Sequence, residues 1–132
     1  MRRLAIGLLA LSLVATPAHA DDSNQEAKDL FHGGAQAYAV GQFEQAVKYL
    51  DAAYALSPQP AILFSLSQAL RRAYAKDQSP ATLARALAGF RKYLVEVPQG
   101  SRVKDAATAV TELETLSRSS GVNVARSSVS ER

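Results

Sequence analysis

His32 is the residue in this chain best suited to proton transfer, because histidine ionises close to neutral pH. The chain has two histidines, and the other, His19, belongs to an N-terminal segment that is mostly apolar. A Ser-His-Asp or Cys-His arrangement would therefore have to be built on His32, and the chain contains no cysteine. Asp29 precedes His32 by one turn of a helical pattern. We interpret His32 as a partly exposed helix residue.

Other patterns that could support chemistry are weak. Glu112 and Glu114 are two residues apart in a helical pattern, so they lie on different faces and do not form a carboxylate pair. Gly33 and Gly34 lie within a helical pattern rather than between a strand and a helix, which argues against a phosphate loop. His, Asp and Glu do not recur at the spacing of metal ligands. The sequence predicts no catalytic, cofactor or metal site, and we expect the protein not to be an enzyme.

The N-terminus has the pattern of a cleavable signal peptide. Arg2 and Arg3 precede an apolar run over residues 4–14, and Ala18-His19-Ala20 is a small-x-small cleavage signature. The run is too short for a typical membrane-spanning helix, although a retained signal-anchor is the alternative. Without cysteine, neither lipoprotein attachment nor a disulfide framework is available. The sequence predicts cleavage after Ala20 and a bacterial periplasmic location, with secretion as the alternative.

Charge argues against a nucleic-acid partner. The whole chain has 15 basic and 12 acidic residues. Removal of residues 1–20 takes away Arg2 and Arg3 and no acidic residue, which leaves a net charge of about +1. The basic character therefore comes partly from the signal segment. We expect no nucleic-acid binding and no membrane span after cleavage.

Residues 41–58 organise the rest of the chain as a turn, a short amphipathic helix and a stop. Gly41 can adopt positive φ at a corner between helices. The apolar residues then recur at helical spacing, and Pro58 ends the helix. They are Phe43, Ala46, Val47, Leu50, Ala53 and Tyr54. This order of residues closely resembles the second half of a tetratricopeptide repeat.

The preceding helix, predicted over residues 26–40, extends the resemblance to a complete repeat. Two adjacent glycines in a helix cost about 1 kcal/mol each relative to alanine, so close helix–helix approach is the expected reason for them. In the family, Gly34 would pack against Ala46 and Ala53. The residues that match the family pattern are Leu30, Gly34, Gly41, Phe43, Ala46, Ala53, Leu56 and Pro58, with the aromatic of the first helix displaced to Tyr38.

A weaker second copy follows. Its helices are predicted over residues 61–73 and 81–96, with Ser67 at the small position. Residues 75–80 predict an extended surface loop between these helices. Tyr93 occupies a position where a small residue is expected, so this pair should be more widely spaced than the first. Ser101 is the predicted N-cap of a capping helix to residue 117, and residues 118–132 are predicted to be disordered.

The sequence thus predicts an all-α protein with three parts: a signal peptide over residues 1–20, a helical domain over 21–117 and a tail over 118–132. The resemblance implies antiparallel helix pairs of tetratricopeptide type, two repeats and a C-terminal cap. It also implies an interaction module that binds a peptide or partner protein in a concave groove. Carried over by position, the groove residues are Lys28, Phe31, Ala35, Tyr38, Phe64, Gln68, Arg71 and Arg72.

Several alternatives remain open at this point. Phe31 and Phe64 either line the groove or are buried against neighbouring helices. Arg71, Arg72 and Lys76 either face a partner or simply complement the helix dipole at a C-terminus. The alternative function is structural self-association, since two repeats are fewer than the three or more that usually make a stable array. The partner, and whether the protein is a homo-oligomer, do not follow from the sequence.

Overall fold

The computed structural model describes residues 18–121, and side chains from residue 21 onward. This part of the chain is all-α, as predicted, and contains no strand. The five helices are α1 (Ala18–Ala39), α2 (Phe43–Leu56), α3 (Pro60–Asp77), α4 (Pro80–Glu96) and α5 (Val103–Ser119). No helix within residues 18–121 has both the length and the apolar character needed to cross a bilayer.

Glycine and proline mark the connections between the helices. Gly41 has φ of +78°, and its N–H donates to the Tyr38 carbonyl at 3.0 Å, which closes the end of α1. Pro60 and Pro80 occupy the first turns of α3 and α4, where no N–H is needed. The Ser79 side chain caps α4 by accepting from the Thr82 N–H at 3.5 Å. These local signals explain why the predicted order of helices is correct.

Each helix packs mainly against its neighbours in sequence, and α1 also touches α3. Helices α1 and α2 are antiparallel, because Tyr38 near the end of α1 meets Phe43 at the start of α2, while the earlier Gly34 meets the later Leu50. The same holds for α3 and α4. The core is centred on α3, whose nine buried residues include Phe64, Ser67 and Ala69. This arrangement leaves α1 and α3 side by side with little direct packing, and a cleft lies between them.

The extended loop predicted over residues 75–80 is wrong. Helix α3 continues to Asp77, and only two residues separate it from α4. Gln78 ends the helix in the left-handed conformation at φ of +52°, and its backbone N–H donates to the Tyr74 carbonyl. Asp77 then accepts from the Ser79 N–H at 2.8 Å and from the Thr82 hydroxyl at 2.9 Å. Polar residues that resembled a loop therefore form a helix end and the cap of the next helix.

The predicted ends of the domain also need correction. Residues 21–25, which precede the helix predicted over residues 26–40, belong to α1, which begins at Ala18. The N-cap of α5 is Arg102 rather than Ser101, and the helix continues to Ser119. The tail predicted from residue 118 therefore begins too early, because residues 118 and 119 are helical and Ser120 still hydrogen-bonds to the Leu116 carbonyl. Residues 1–17 of the predicted signal peptide and residues 122–132 of the predicted tail lie outside the described residues.

Candidate functional site

The cleft between α1 and α3, with a volume of about 220 Å³, is the candidate functional site. Its floor is apolar, since Leu50 and Phe64 are each only 2% exposed. Phe31 and Tyr38 are half-buried at its sides, and Ala35 is exposed between them. The complete lining is Phe31, Gly34, Ala35, Tyr38, Leu50, Phe64, Ser65, Gln68 and Arg102.

Glycine at position 34 contributes to the shape of this cleft. A Cβ atom at Gly34 would lie 2.7 Å from Cγ of Leu50, which is closer than carbon atoms pack. The small residue therefore lets α2 approach α1 closely, as predicted, although Leu50 rather than Ala46 or Ala53 fills the space above it. Leu50 reaches the cleft floor as a result.

Arg102 is the cation that lines the first cleft, and it is not among the groove residues predicted from the sequence. Its guanidinium carbon lies 4.8 Å from the centroid of the Phe64 ring, a cation–π geometry. The side chain is exposed, and it forms no ion pair within residues 21–121. Arg102 ends the connection between α4 and α5, a position with no distinctive sequence signal. The packing of α5 against α4, with the ion pair between Arg71 of α3 and Glu112 of α5, brings it over Phe64.

The two phenylalanines differ in position. Phe64 belongs to the core: its ring packs edge-on against Phe90 at 5.7 Å between centroids and lies 5.1 Å from Tyr93. It also forms the cleft floor, so Phe64 both lines the cleft and is buried against neighbouring helices, the two positions that the sequence left open as alternatives. Phe31 is half-buried and separates the first cleft from a second one.

The second cleft has a volume of about 360 Å³. Lys28 and His32 on α1 are exposed in it, and Gln59 faces them from the connection between α2 and α3. The amide of Gln59 donates to the Ser57 hydroxyl at 2.9 Å. Its lining is Asn24, Ala27, Lys28, Phe31, His32, Ser57, Gln59, Ala61 and Ile62. We refer to the two adjoining clefts together as the α1–α3 groove.

The arginines predicted for the groove lie in different places. Arg71 forms an ion pair with Glu112 of α5 and donates to the Gln68 side chain at 3.5 Å, so it is linked to the cleft only through Gln68. Arg72 is not in the groove. Its guanidinium carbon lies 4.8 Å from the centroid of the Phe43 ring. Lys76 lies over the same ring at 5.0 Å and donates to the Gly41 carbonyl at 3.0 Å.

Six of the eight predicted groove residues therefore line the α1–α3 groove: Phe31, Ala35, Tyr38, Phe64 and Gln68 in the first cleft, and Lys28 in the second. No group of three or more His, Cys, Asp or Glu side chains within the described residues could hold a metal ion. His32 lies beside Phe31, with 6.3 Å between ring centroids, and Asp29 accepts a hydrogen bond from Gln25 at 3.0 Å. The chemistry available in the groove is apolar burial, hydrogen bonding and attraction of negative charge.

Comparison of the chain with protein-family models, curated proteins and solved structures finds no match.

Proposed function

We propose that this protein is an exported tetratricopeptide-like interaction module of the bacterial cell envelope that binds a peptide or partner protein in the α1–α3 groove. The observation that carries the proposal is the first cleft, where an apolar floor and aromatic sides lie beside the exposed Arg102. Aromatic residues and arginine dominate the energetics of protein interfaces. The module acts by binding and catalyses no reaction.

The helical framework supports this function. Leu50 and Phe64 belong to the core, so the groove is held by packed helices and does not depend on a loop. A preformed site loses less conformational entropy when it binds than a flexible one. The order Gly34, Gly41, Phe43, Ala46, Ala53 and Pro58 supports the comparison with tetratricopeptide repeats, in which helices of successive pairs line a concave surface.

The envelope location is supported by the N-terminal sequence. Two arginines, the apolar run and the Ala-His-Ala site have the order of a secretory signal. An exported domain without cysteine depends on packing for its stability, and the buried core that extends over α1 to α5 supplies it.

Self-association is the second candidate. Val95 is 82% exposed and Val40 is 71% exposed, which leaves apolar surface away from the groove. Two helix pairs and a cap are a short array, and a second copy could extend the stack. In that case the protein would be a homo-oligomeric structural unit of an envelope assembly.

Substitution of Ala35 by arginine tests groove binding. Ala35 is exposed and lines the first cleft, so a long charged side chain would fill the cleft without entering the core. Arginine is a good helix former, and α1 should remain folded. Gln36→Arg is the matched control, because Gln36 is also exposed on α1 but does not line either cleft.

Crosslinked capture from intact bacterial envelopes, followed by mass spectrometry, would compare the partners of the wild type and both variants. We expect Ala35→Arg to lose partners that Gln36→Arg retains. Equal capture by the two variants would reject the groove as the binding surface. Light scattering at micromolar concentration addresses the second candidate: a stable dimer in the wild type and in Ala35→Arg would favour self-association.

A further inference from the structure

We infer that the α1–α3 groove selects an extended acidic segment of a partner protein, in which a large apolar side chain enters the first cleft and a neighbouring carboxylate binds Arg102. This inference rests on the proposed function and specifies the chemistry of the partner. It follows from the shape of the first cleft and from the distribution of charge around it.

The apolar part of the ligand follows from the size and lining of the first cleft. An apolar cavity of about 150 Å³ accommodates benzene, so a cleft of this size accepts one aromatic or branched aliphatic side chain. The buried faces of Leu50 and Phe64 would contact such a side chain from below, and Phe31 and Tyr38 would contact it from the sides. Burial of that side chain supplies the favourable apolar contribution to binding.

The acidic part of the ligand follows from charge complementarity. The charged residues that line the two clefts are Arg102 and Lys28, and no aspartate or glutamate lines either cleft. Three other arginines of the described residues form ion pairs: Arg71 with Glu112, Arg85 with Asp51 at 2.7 Å, and Arg91 with Glu114 at 2.6 Å, whereas Arg72 and Arg118 form none. Within the described residues, Arg102 has no such carboxylate. A segment that supplies one would pair a cation that already borders the apolar cleft.

The position of Arg102 sets the spacing between the two ligand groups. Its guanidinium lies over Phe64, so the cation borders the cleft that receives the apolar side chain. Arginine binds a carboxylate through two parallel hydrogen bonds, and stacking on a ring leaves its N–H edge free for that contact. An extended chain advances about 3.3 Å per residue. The carboxylate is therefore expected within about two residues of the apolar side chain.

Selection from a random linear peptide library displayed on phage tests this inference on the full chain. We expect the wild type to enrich peptides with Asp or Glu within two residues of Phe, Tyr, Leu or Ile. Arg102→Glu should exchange the acidic preference for a basic one, which a purely structural contribution of Arg102 would not do. Lys104→Glu is the matched control, since Lys104 is exposed on the same segment, lines neither cleft and undergoes the same charge change.

Synthetic versions of the enriched peptides, measured by fluorescence polarisation, give the size of the effect. An acidic peptide should bind Arg102→Glu at least about tenfold more weakly than the wild type, because charge reversal at an interface is costly. Its affinity for Lys104→Glu should stay within about twofold of the wild type, because exposed charges outside a contact are strongly screened. Circular dichroism checks that each variant is folded. If Arg102→Glu unfolds, Arg102→Gln replaces it and should lose the acidic preference without gaining a basic one.

The outcomes separate the inference from the function on which it rests. Two outcomes would overturn the inference and leave groove binding intact. In the first, Ala35→Arg abolishes binding of the enriched peptides, but these peptides lack acidic residues. In the second, the preference for acidic peptides survives in Arg102→Glu. Failure to enrich any peptide whose binding Ala35→Arg abolishes would reject groove binding and the inference together.

Discussion

Gly89 of α4 lies directly against Ser67 of α3, at a crossing point with no room for another methyl group. A Cβ atom at Gly89 would lie 2.2 Å from the Ser67 hydroxyl oxygen. Ser67 is fully buried, and its hydroxyl donates to the Leu63 carbonyl at 2.8 Å. The sequence pattern predicts the corresponding contact of this pair at residue 93, where Tyr93 implies a wide spacing. The structure instead places a close approach one turn earlier, at Gly89.

Gly89→Ala should destabilise the protein in spite of the better helix propensity of alanine. The propensity gain is about 1 kcal/mol, whereas overpacking of a buried contact typically costs about 1–3 kcal/mol. Ser67→Ala removes the oxygen that the new methyl group would strike, and we expect the double variant to recover most of the loss. Urea unfolding followed by circular dichroism gives the four free energies of unfolding. Strictly additive effects would show that the two residues do not meet.

Gly33→Ala and Gly34→Ala form a matched pair on α1. A Cβ atom at Gly34 would lie 2.7 Å from Cγ of the buried Leu50, whereas one at Gly33 would lie 3.2 Å from the ring of Tyr49, which is 37% exposed and can shift. The gain in helix propensity is the same at both positions. We therefore expect Gly34→Ala to lower the melting temperature relative to Gly33→Ala. The reverse order would contradict the close approach at Gly34.

The ion pair between Arg71 and Glu112 joins α3 to α5, and we expect it to contribute little to stability. The two side chains are 32% and 45% exposed, and exposed ion pairs contribute about 0–1 kcal/mol. Arg71→Glu should keep its helicity. The double variant Arg71→Glu, Glu112→Arg restores opposite charges at the two positions and should regain any stability that the single variant loses. Because Arg71 already has a carboxylate partner, Arg71→Glu should weaken partner capture less than Arg102→Glu does. If Arg71→Glu loses as much partner capture as Arg102→Glu, or more, then Arg71 rather than Arg102 binds the carboxylate of the partner.

The proposed export predicts which residue is the first one of the native protein. Signal cleavage after Ala20 would make Asp21 the first residue, and intact-mass measurement of protein purified from bacterial envelopes tests this directly. A chain that retains Met1 in most molecules would contradict the periplasmic proposal and favour a signal-anchor. His19→Ala should be cleaved normally, since the small residues on either side define the site, whereas Ala20→Asp should block cleavage.

Lys92 should keep its proton to higher pH than an ordinary lysine. A hydrogen bond to the Tyr54 side chain is the largest cause that raises the pKa of Lys92 above its usual value of 10.5. The contribution of this group to stability is therefore present below pH 10.5 and is lost as the pH rises through the raised pKa. Tyr54→Phe should bring the pKa of Lys92 back towards 10.5 in an NMR titration of lysine side chains. A titration unaffected by Tyr54→Phe would contradict the contact.

Much of the fold could be predicted because its signals are local. Gly41 can adopt positive φ, Pro60 and Pro80 favour the first turn of a helix, and apolar spacing marks the buried faces. Each of these depends on a residue and its immediate neighbours in sequence. The helix ends were less predictable, because Gln78 closes α3 through contacts with Tyr74 that a polar composition does not reveal.

The sequence by itself therefore determined the all-α class, the order of five helices and four aromatic or polar members of the first cleft. Tertiary structure decided where α1, α3 and α5 lie relative to one another, since those contacts join residues distant in the chain. Arg102 lies over the ring of Phe64, 38 positions earlier in the chain, only because α5 packs against α4 and is linked to α3 through Arg71 and Glu112. Arg72, although adjacent to Arg71, lies over Phe43 instead. Consecutive residues on a helix point about 100° apart, so the same pair of arginines serves two different surfaces.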